Sequence, residues 1–311
     1  SDMRQVSLID IAGGIVVVAI LALAPVFAAS NYLTGVLTVC VIYGIWASSW
    51  DFMSGLTGRE NFGHSLFIGA GAYTAGFLAT IWFANPWYSL PAAVVIAVAF
   101  SLIVGFPTLR LRGPYFALAM LSASAILQRL CLIFWEQTGG EEGLYGLEPL
   151  MRNPLHYYWL VLAILVVTVI VLVLLAQSHW GLLLRAIRGD EATCQAAGIN
   201  VTFYKIASLA ISAAFAGLGG ALYAHYQLQV SPPLFSVVVS ITVIIMCYVG
   251  GIGSIYGAAV AAILLTLLTE MLRGFGEYRL WIYTLTLMLI LFFLPNGLVA
   301  PLWRRMTERF R

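Results

Sequence analysis

The chain carries long uninterrupted apolar runs that point to lipid, not water, as their surroundings. The stretch YWLVLAILVVTVIVLVLLA (158–176) holds no charge across nineteen residues, and IAGGIVVVAILALAPVFAA (11–29) is similar. About twenty such residues, rising about 1.5 Å each in a helix, cross a hydrocarbon layer of about 30 Å. A membrane-spanning strand would instead alternate over about ten residues. Composition agrees: 62% of residues are hydrophobic, only 9% are charged, and mean hydropathy is +0.97, whereas soluble domains carry about a quarter charged residues. The expected fold class is all-α, a polytopic membrane protein, because backbone in lipid must satisfy its polar groups within each segment.

Apolar windows between polar breaks predict ten spans, near 11–29, 33–52, 65–83, 90–106, 115–135, 157–176, 206–227, 237–249, 255–272 and 280–294. The first run exceeds the 7 to 15 or so residues of a secretory signal core, so it reads as a retained span behind Arg4. With both termini inside, eleven basic residues fall on the cytoplasmic side (Arg4, Arg59, Arg110, Arg112, Arg185, Arg188, Lys205, Arg304, Arg305, Arg309, Arg311) and three outside (Arg152, Arg273, Arg279). The positive-inside rule then gives N-in, C-in. Trp82, Trp87, Tyr88, Trp135, Tyr157, Tyr158, Trp159 and Trp281 fall at predicted interfaces and read as anchors.

Between the sixth and seventh spans lies the one long polar insertion, SHWGLLLRAIRGDEATCQAAGINVTFYK (178–205). An amphipathic first half, a break at Gly189, a short helix capped by Asp190 and a stop at Gly198 describe a folded element rather than a passive loop. Two glycine-rich junctions, 54–76 and 248–262, interrupt the spans. Such breaks persist in membranes where they are packed in protein or line a polar cavity. Close helix approach is the plainer reading for most of their glycines.

The chain lacks the parts of several chemistries. Its single lysine, Lys205, is not preceded by GxxxxGK[ST], so no phosphate loop is present and energy must arrive from elsewhere. The four cysteines, Cys40, Cys131, Cys194 and Cys247, form no CxxC pair and suggest neither a metal nor a disulfide framework. A formal charge of +2 gives no reason to expect a nucleic acid, and no nucleophile, base and oxyanion arrangement is visible, so no catalytic residues are assigned. Ion coupling would need carboxylates in the path; Asp51 and Glu270 are candidates, with Asp51 free to pair with Arg59 and Glu270 with Arg273. His64 and His225 read first as hydrogen-bonded packing residues.

The motifs together resemble a family. GLTGRENFGHSLFIGAGAYTAG, PTLRLRGPYFALAMLSASAI, RAIRGDEATCQAAGINVTFYK, VGGIGSIYGAAV and the closing FLPNGL are similar, in order, to the conserved segments of the branched-chain amino acid permeases of bacterial ABC importers, the LivM-type subunits. The resemblance implies a type II importer permease fold: one transmembrane domain over 1–311 in the bacterial inner membrane, with 178–205 as its cytoplasmic coupling loop. It implies a second homologous permease, two ATPase subunits that bind ATP and Mg, a periplasmic solute-binding protein, and no cofactor in this chain. By the same resemblance Arg185, Arg188, Asp190, Glu191, Ala197, Gly198, Ile199 and Asn200 belong to the ATPase-coupling element. Asn61, Gly63, His64, Tyr73, Gly250, Gly251 and Gly253 fall to the translocation path, and Thr138, Gly139, Gly140 and Gly143 to the outer loop nearest the binding protein.

Arg59 and Glu60 depart from the family pattern, as does Pro114, and they leave the solute open: an amino acid of the branched-chain type or a related small polar solute. An ion-coupled secondary transporter or a passive solute channel is the alternative.

Overall fold

The computed structural model describes residues 8–27, 30–111, 114–276, 278, 285, 288, 292, 297–299 and 301. Arg4, Arg112, Arg279, Trp281, the four C-terminal arginines and nearly all of the expected span 280–294 lie outside the described residues. Helices occupy the other nine expected stretches: α1 (Leu8–Phe27), α2 (Asn31–Trp50), α3 (His64–Thr80), α4 (Ser89–Thr108), α5 (Pro114–Ile133), the one-turn α6 (Trp135–Thr138), α7 (Pro154–Gln177), α8 (His179–Gly189), α9 (Glu191–Ala196), α10 (Val201–Gln227), α11 (Val237–Gly250) and α12 (Tyr256–Met271). Among the described residues, six helical stretches are long and apolar enough to cross a membrane: 31–55, 86–108, 114–133, 154–177, 201–227 and 256–275. The shorter Gly13–Val26 and Val237–Gly250 are apolar too. One departure from pure helix is a two-residue antiparallel pair, β1 (Leu144–Tyr145) with β2 (Gln229–Val230), in the register Leu144↔Val230.

Contacts group the chain into two compact units, one of residues 1–48, 151–178 and 245–311, the other of 49–150 and 179–244. In the first, α1 lies on α7: Tyr158 OH donates to the Leu21 carbonyl at 2.7 Å and Trp159 Nε1 to that of Ala22 at 3.3 Å. Tyr157 and Tyr158 are 4% and 0% exposed. These two are core residues, not interface anchors, because their rings pack inward while their neighbour Trp159 stays 40% exposed. A Cβ on Gly250 would sit 2.5 Å from the Gly257 carbonyl, so the second glycine junction serves close packing between α11 and α12. At the C-terminal end of α12, Arg273 pairs with Glu270 at 3.3 Å, the spacing anticipated from sequence.

The second unit is built on α3, α4 and α10 packed together. Small residues make this possible: a Cβ on Gly71 would overlap the Gly217 carbonyl oxygen, one on Gly220 that of Ile68, and one on Gly217 the Ala97 methyl. Backbones thereby approach without side chains between them. Twelve of the seventeen residues of α3 are buried, which marks it as the centre of the unit.

The sequence places the first glycine break from residue 54. In the structure α2 does not end there: it continues through a wide π turn, Asp51–Gly55, and a further half turn to Thr57. Thr57 Oγ1 returns to the Met53 carbonyl at 2.7 Å, and the Gly58 amide to that of Ser54 at 2.9 Å. Only 58–63 is irregular, because small and hydroxyl side chains satisfy the backbone that the wide turn frees. Asp51 is fully buried in that turn, so it does not snorkel to solvent.

Candidate functional site

The 178–205 insertion folds as expected, and its local rules are explicit. On α8, Gly181, Leu184 and Ile187 are buried at three-residue spacing, the inner stripe of an amphipathic helix. Asp190 then caps α9, its carboxylate accepting from the Ala192 amide at 2.9 Å and the Thr193 amide at 3.2 Å. The Thr193 hydroxyl donates to the same group at 2.5 Å. These bonds, that of the hydroxyl foremost, hold Asp190 below the usual aspartate range. Gly198 stops α9 at φ +83°, a left-handed turn that costs glycine little. Asn200 caps α10, its side chain accepting from the Phe203 amide at 3.0 Å. Ile187, Cys194 and Val201, flanked by Ile199 and Tyr204, form a small apolar core, and Trp180, Phe203 and Tyr204 pack ring on ring.

The residues assigned to coupling divide by the way they face. Arg185, Asp190, Ala197, Gly198 and Asn200 are exposed, as are Gln195, Ala196 and Phe203. Ile199 is half-buried and Glu191 turns inward. The Glu191 carboxylate accepts from Arg59 Nη2 at 2.6 Å through one oxygen and from Lys205 Nζ at 2.6 Å through the other. Burial pushes this carboxyl upward, but the Lys205 and Arg59 bonds and charges outweigh it and hold the group below the usual glutamate range. Arg59 also donates to the Leu111 carbonyl at 3.3 Å. Arg188, though exposed, donates to the Gly55 carbonyl at 2.5 Å. The insertion is thus bonded at two points, to the last residue of the π turn through Arg188 and to Arg59 in the segment that follows it.

That segment leads into the residues assigned to the path. Trp50 Nε1 donates to the Asn61 carbonyl at 2.8 Å, the Asn61 amide to Ser54 Oγ at 3.2 Å, and the Gly63 amide to Asn61 Oδ1 at 3.0 Å. Asn61 is 1% exposed and its Nδ2 has no hydrogen-bond partner. A Cβ on Gly63 would overlap the Met120 carbonyl, so this glycine packs against α5. His64 Nε2 meets Ser49 Oγ at 3.1 Å, and Ser212 Oγ donates to the Ser49 carbonyl at 2.6 Å.

One turn further, Ser65 and Ser124 meet on the Phe235 carbonyl, at 3.1 and 2.7 Å, and Ser240 joins them through Ser65: Ser65 Oγ lies 2.8 Å from Ser124 Oγ and accepts from Ser240 Oγ at 2.9 Å. Tyr73 stacks on the Phe235 ring at 5.4 Å. Asn61, Gly63, His64 and Tyr73 therefore belong to one buried region, whereas Gly250, Gly251 and Gly253 belong to the other unit. The serine cluster was not among the residues picked from sequence, since single serines in three separate apolar stretches carry no spacing signal.

In the loop assigned to the outer side, Thr138 is buried and its hydroxyl donates to the Cys131 carbonyl. Gly140 and Gly143 are buried as well, Gly143 with no room for a Cβ against the Val230 carbonyl. Within 138–143 the exposed residues are Gly139, Glu141 and Glu142. His225 bonds Ser89 Oγ and the Glu148 carbonyl, each at 2.7 Å, a packing histidine as read from sequence. The four cysteines are buried free thiols, and among the described residues no cluster of His, Cys, Asp or Glu is placed to hold a metal.

Residues 32–294 match the family described as branched-chain amino acid transport system / permease component. The chain is similar to the high-affinity branched-chain amino acid transport system permease protein LivM of Escherichia coli, at 32% identity over 92% of this chain and 74% of the relative. It is similar to that of Salmonella typhimurium at 31% over 90% and 73%. A probable branched-chain amino acid transport permease protein LivM of Methanocaldococcus jannaschii is 23% identical over 75% of each chain. No solved structure matches the chain. These relationships bear out the resemblance drawn from the motifs and the reading of a multi-pass transport component that is not an enzyme. The chain belongs to the family of permease components of branched-chain amino acid transport systems.

Proposed function

We propose that this chain is the permease subunit of a bacterial ABC importer in the inner membrane. It gives a branched-chain amino acid or a related small polar solute an alternating path, driven by ATP hydrolysis in partner subunits. The observation that carries the reading is the 178–205 insertion: a capped two-helix element with its own core, an exposed rim and two bonded tethers, one to the end of the π turn and one to the segment after it. A loop that only joined two spans would need none of these. In this reading the fold is that of a type II importer permease with ten spans, N-in and C-in, and 178–205 is the cytoplasmic coupling loop of a single permease domain.

The exposed rim of Asp190, Ala197, Gly198 and Asn200 docks on an ATPase subunit, with Arg185 beside it. ATP and Mg sit on the two ATPase subunits, a second homologous permease completes the transmembrane part, and a periplasmic binding protein delivers the solute towards the loop bearing Gly139, Glu141 and Glu142. Asn61, Gly63, His64 and Tyr73 line or shape the path. Purification from native membrane in mild detergent tests the assembly: two ATPase subunits and a second permease in stoichiometric amounts support it, and a chain that purifies alone refutes it.

The fully buried Asp51 in a π turn favours one other reading, a carrier driven by an ion gradient, since an ionisable group at that depth is a functional candidate. Asp51→Asn would then abolish gradient-driven uptake without ATP.

A further inference from the structure

We infer that Arg59 is the positioning residue that passes movement of the 178–205 element to the segment leading into the path, through the carboxylate of Glu191. This rests on the coupling reading above and goes beyond it, because it takes Glu191 out of the docking surface and gives Arg59 a task. Glu191 sits at the first position of α9 and has both carboxylate oxygens occupied, one by Arg59 and one by Lys205. A carboxylate whose two oxygens are both bonded within its own chain is poorly placed to recognise a partner as well.

The two cations play different parts. Lys205, 2% exposed, stands in the first two turns of α10 and anchors Glu191 to the helix that follows the insertion. Arg59 belongs to the irregular stretch 58–63, between the π turn and α3. Its bond to Glu191 joins the start of α9 to that stretch, and its bond to Leu111 carries the contact to the end of the α4 segment. Arg188 runs beside it, donating to Gly55, with its Cγ 2.8 Å from where a Cβ on Gly58 would stand. Charge-assisted bonds are the strong and directional ones, and a two-oxygen bridge between cations from separate elements transmits displacement better than apolar contact does. From Arg59 only one residue separates the link from Asn61, whose amide and carbonyl are bonded to Ser54 and Trp50 and whose Oδ1 accepts from the amide of Gly63, the next residue assigned to the path.

The test uses the assembled complex, reconstituted in liposomes with its binding protein and ATP inside, and compares wild type, Arg59→Gln and Arg59→Lys. Arg59→Gln cuts the link while leaving the Glu191–Lys205 pair, so the buried lysine keeps its counter-charge and the chain its fold. The expected result is full retention of ATPase subunits, ATP hydrolysis within about twofold of wild type, and solute moved per ATP down about tenfold, within the range of typical coupling energies. Arg59→Lys, which keeps the charge, should recover at least part of that ratio. An unchanged transport ratio in Arg59→Gln with a normal complex overturns this inference alone, and loss of the ATPase subunits from that variant also overturns it, by making Arg59 part of docking. A wild-type chain without ATPase subunits overturns the importer reading and this inference together.

Discussion

Arg59 and Glu191 meet at 2.6 Å although 132 residues separate them in the chain. The charge that departs from the family pattern is therefore not loose at a constriction: its side chain is 15% exposed and bonded to the first residue of α9. Glu60, its neighbour, is exposed.

Glu191→Gln should destabilise the subunit. It removes the carboxylate between two cations, one of them with a side chain only 3% exposed. Breaking a fully buried pair costs about 3–5 kcal/mol; with Glu191 partly solvated we expect roughly 2 kcal/mol. Thermal unfolding of the purified subunit in detergent checks this as a Tm several degrees lower, and an unchanged Tm would show the bridge to be energetically idle.

Acid should loosen the insertion before it unfolds the spans. Asp190 and Glu191 are both held below their usual range. A depressed folded value means that their contribution is fully present above the ordinary carboxylate range near pH 4 and is lost as pH falls through the lower folded values. Hydrogen exchange of the 190–205 amides should therefore show reduced protection near pH 3 relative to pH 6, after correction for intrinsic rates, while α7 amides hold theirs.

Gly71→Ala should be far more damaging than Gly189→Ala. The first places a methyl group on the Gly217 backbone, where nothing flexible can yield; the second meets nothing within 4 Å. Overpacking costs about 1–3 kcal/mol and more where backbone must move, whereas glycine to alanine at an unstrained, open site gains about 0.4–1 kcal/mol. Folded yield and Tm of the two variants give the comparison; equal losses would contradict the α3–α10 contact.

Much of the architecture was legible in the apolar runs because membrane helices advertise themselves by length. The span expected at 157–176 is α7, Pro154–Gln177, and the short span at 237–249 is α11, Val237–Gly250. The insertion was legible as well, since its cap at Asp190 and its stop at Gly198 act on neighbours a few residues away, whereas the Asn200 cap on α10 emerged from the structure. What escaped depends on packing. The π turn carries the helix through Gly55, where sequence suggests a break, because hydroxyls from Ser54 and Thr57 satisfy local backbone. Tyr157 and Tyr158 look like interface aromatics, but both rings are buried, that of Tyr158 with its hydroxyl bonded to α1. The meeting of Ser65 with Ser124 and Ser240, and of Arg59 with Glu191, joins residues whose sequence separation carries no periodic signal.

His225→Ala should unsettle the end of α10. Removing the imidazole takes away two bonds at 2.7 Å, one to the part-buried Glu148 carbonyl and one to Ser89 Oγ, which keeps its bond to the Pro86 carbonyl, at about 1–3 kcal/mol. Limited proteolysis of the 139–150 loop should speed up in this variant, and His225→Gln should restore part of the protection.

The central claim is that the 178–205 element converts ATP hydrolysis in a partner into transport. Gly198→Pro, measured as ATP-dependent uptake of leucine, isoleucine or valine by the intact complex in liposomes, tests it most directly, since proline cannot adopt the φ of +83° found there. The account predicts that uptake collapses by at least about tenfold while the transmembrane helices stay folded. Uptake at the wild-type rate in an assembled Gly198→Pro complex would contradict it.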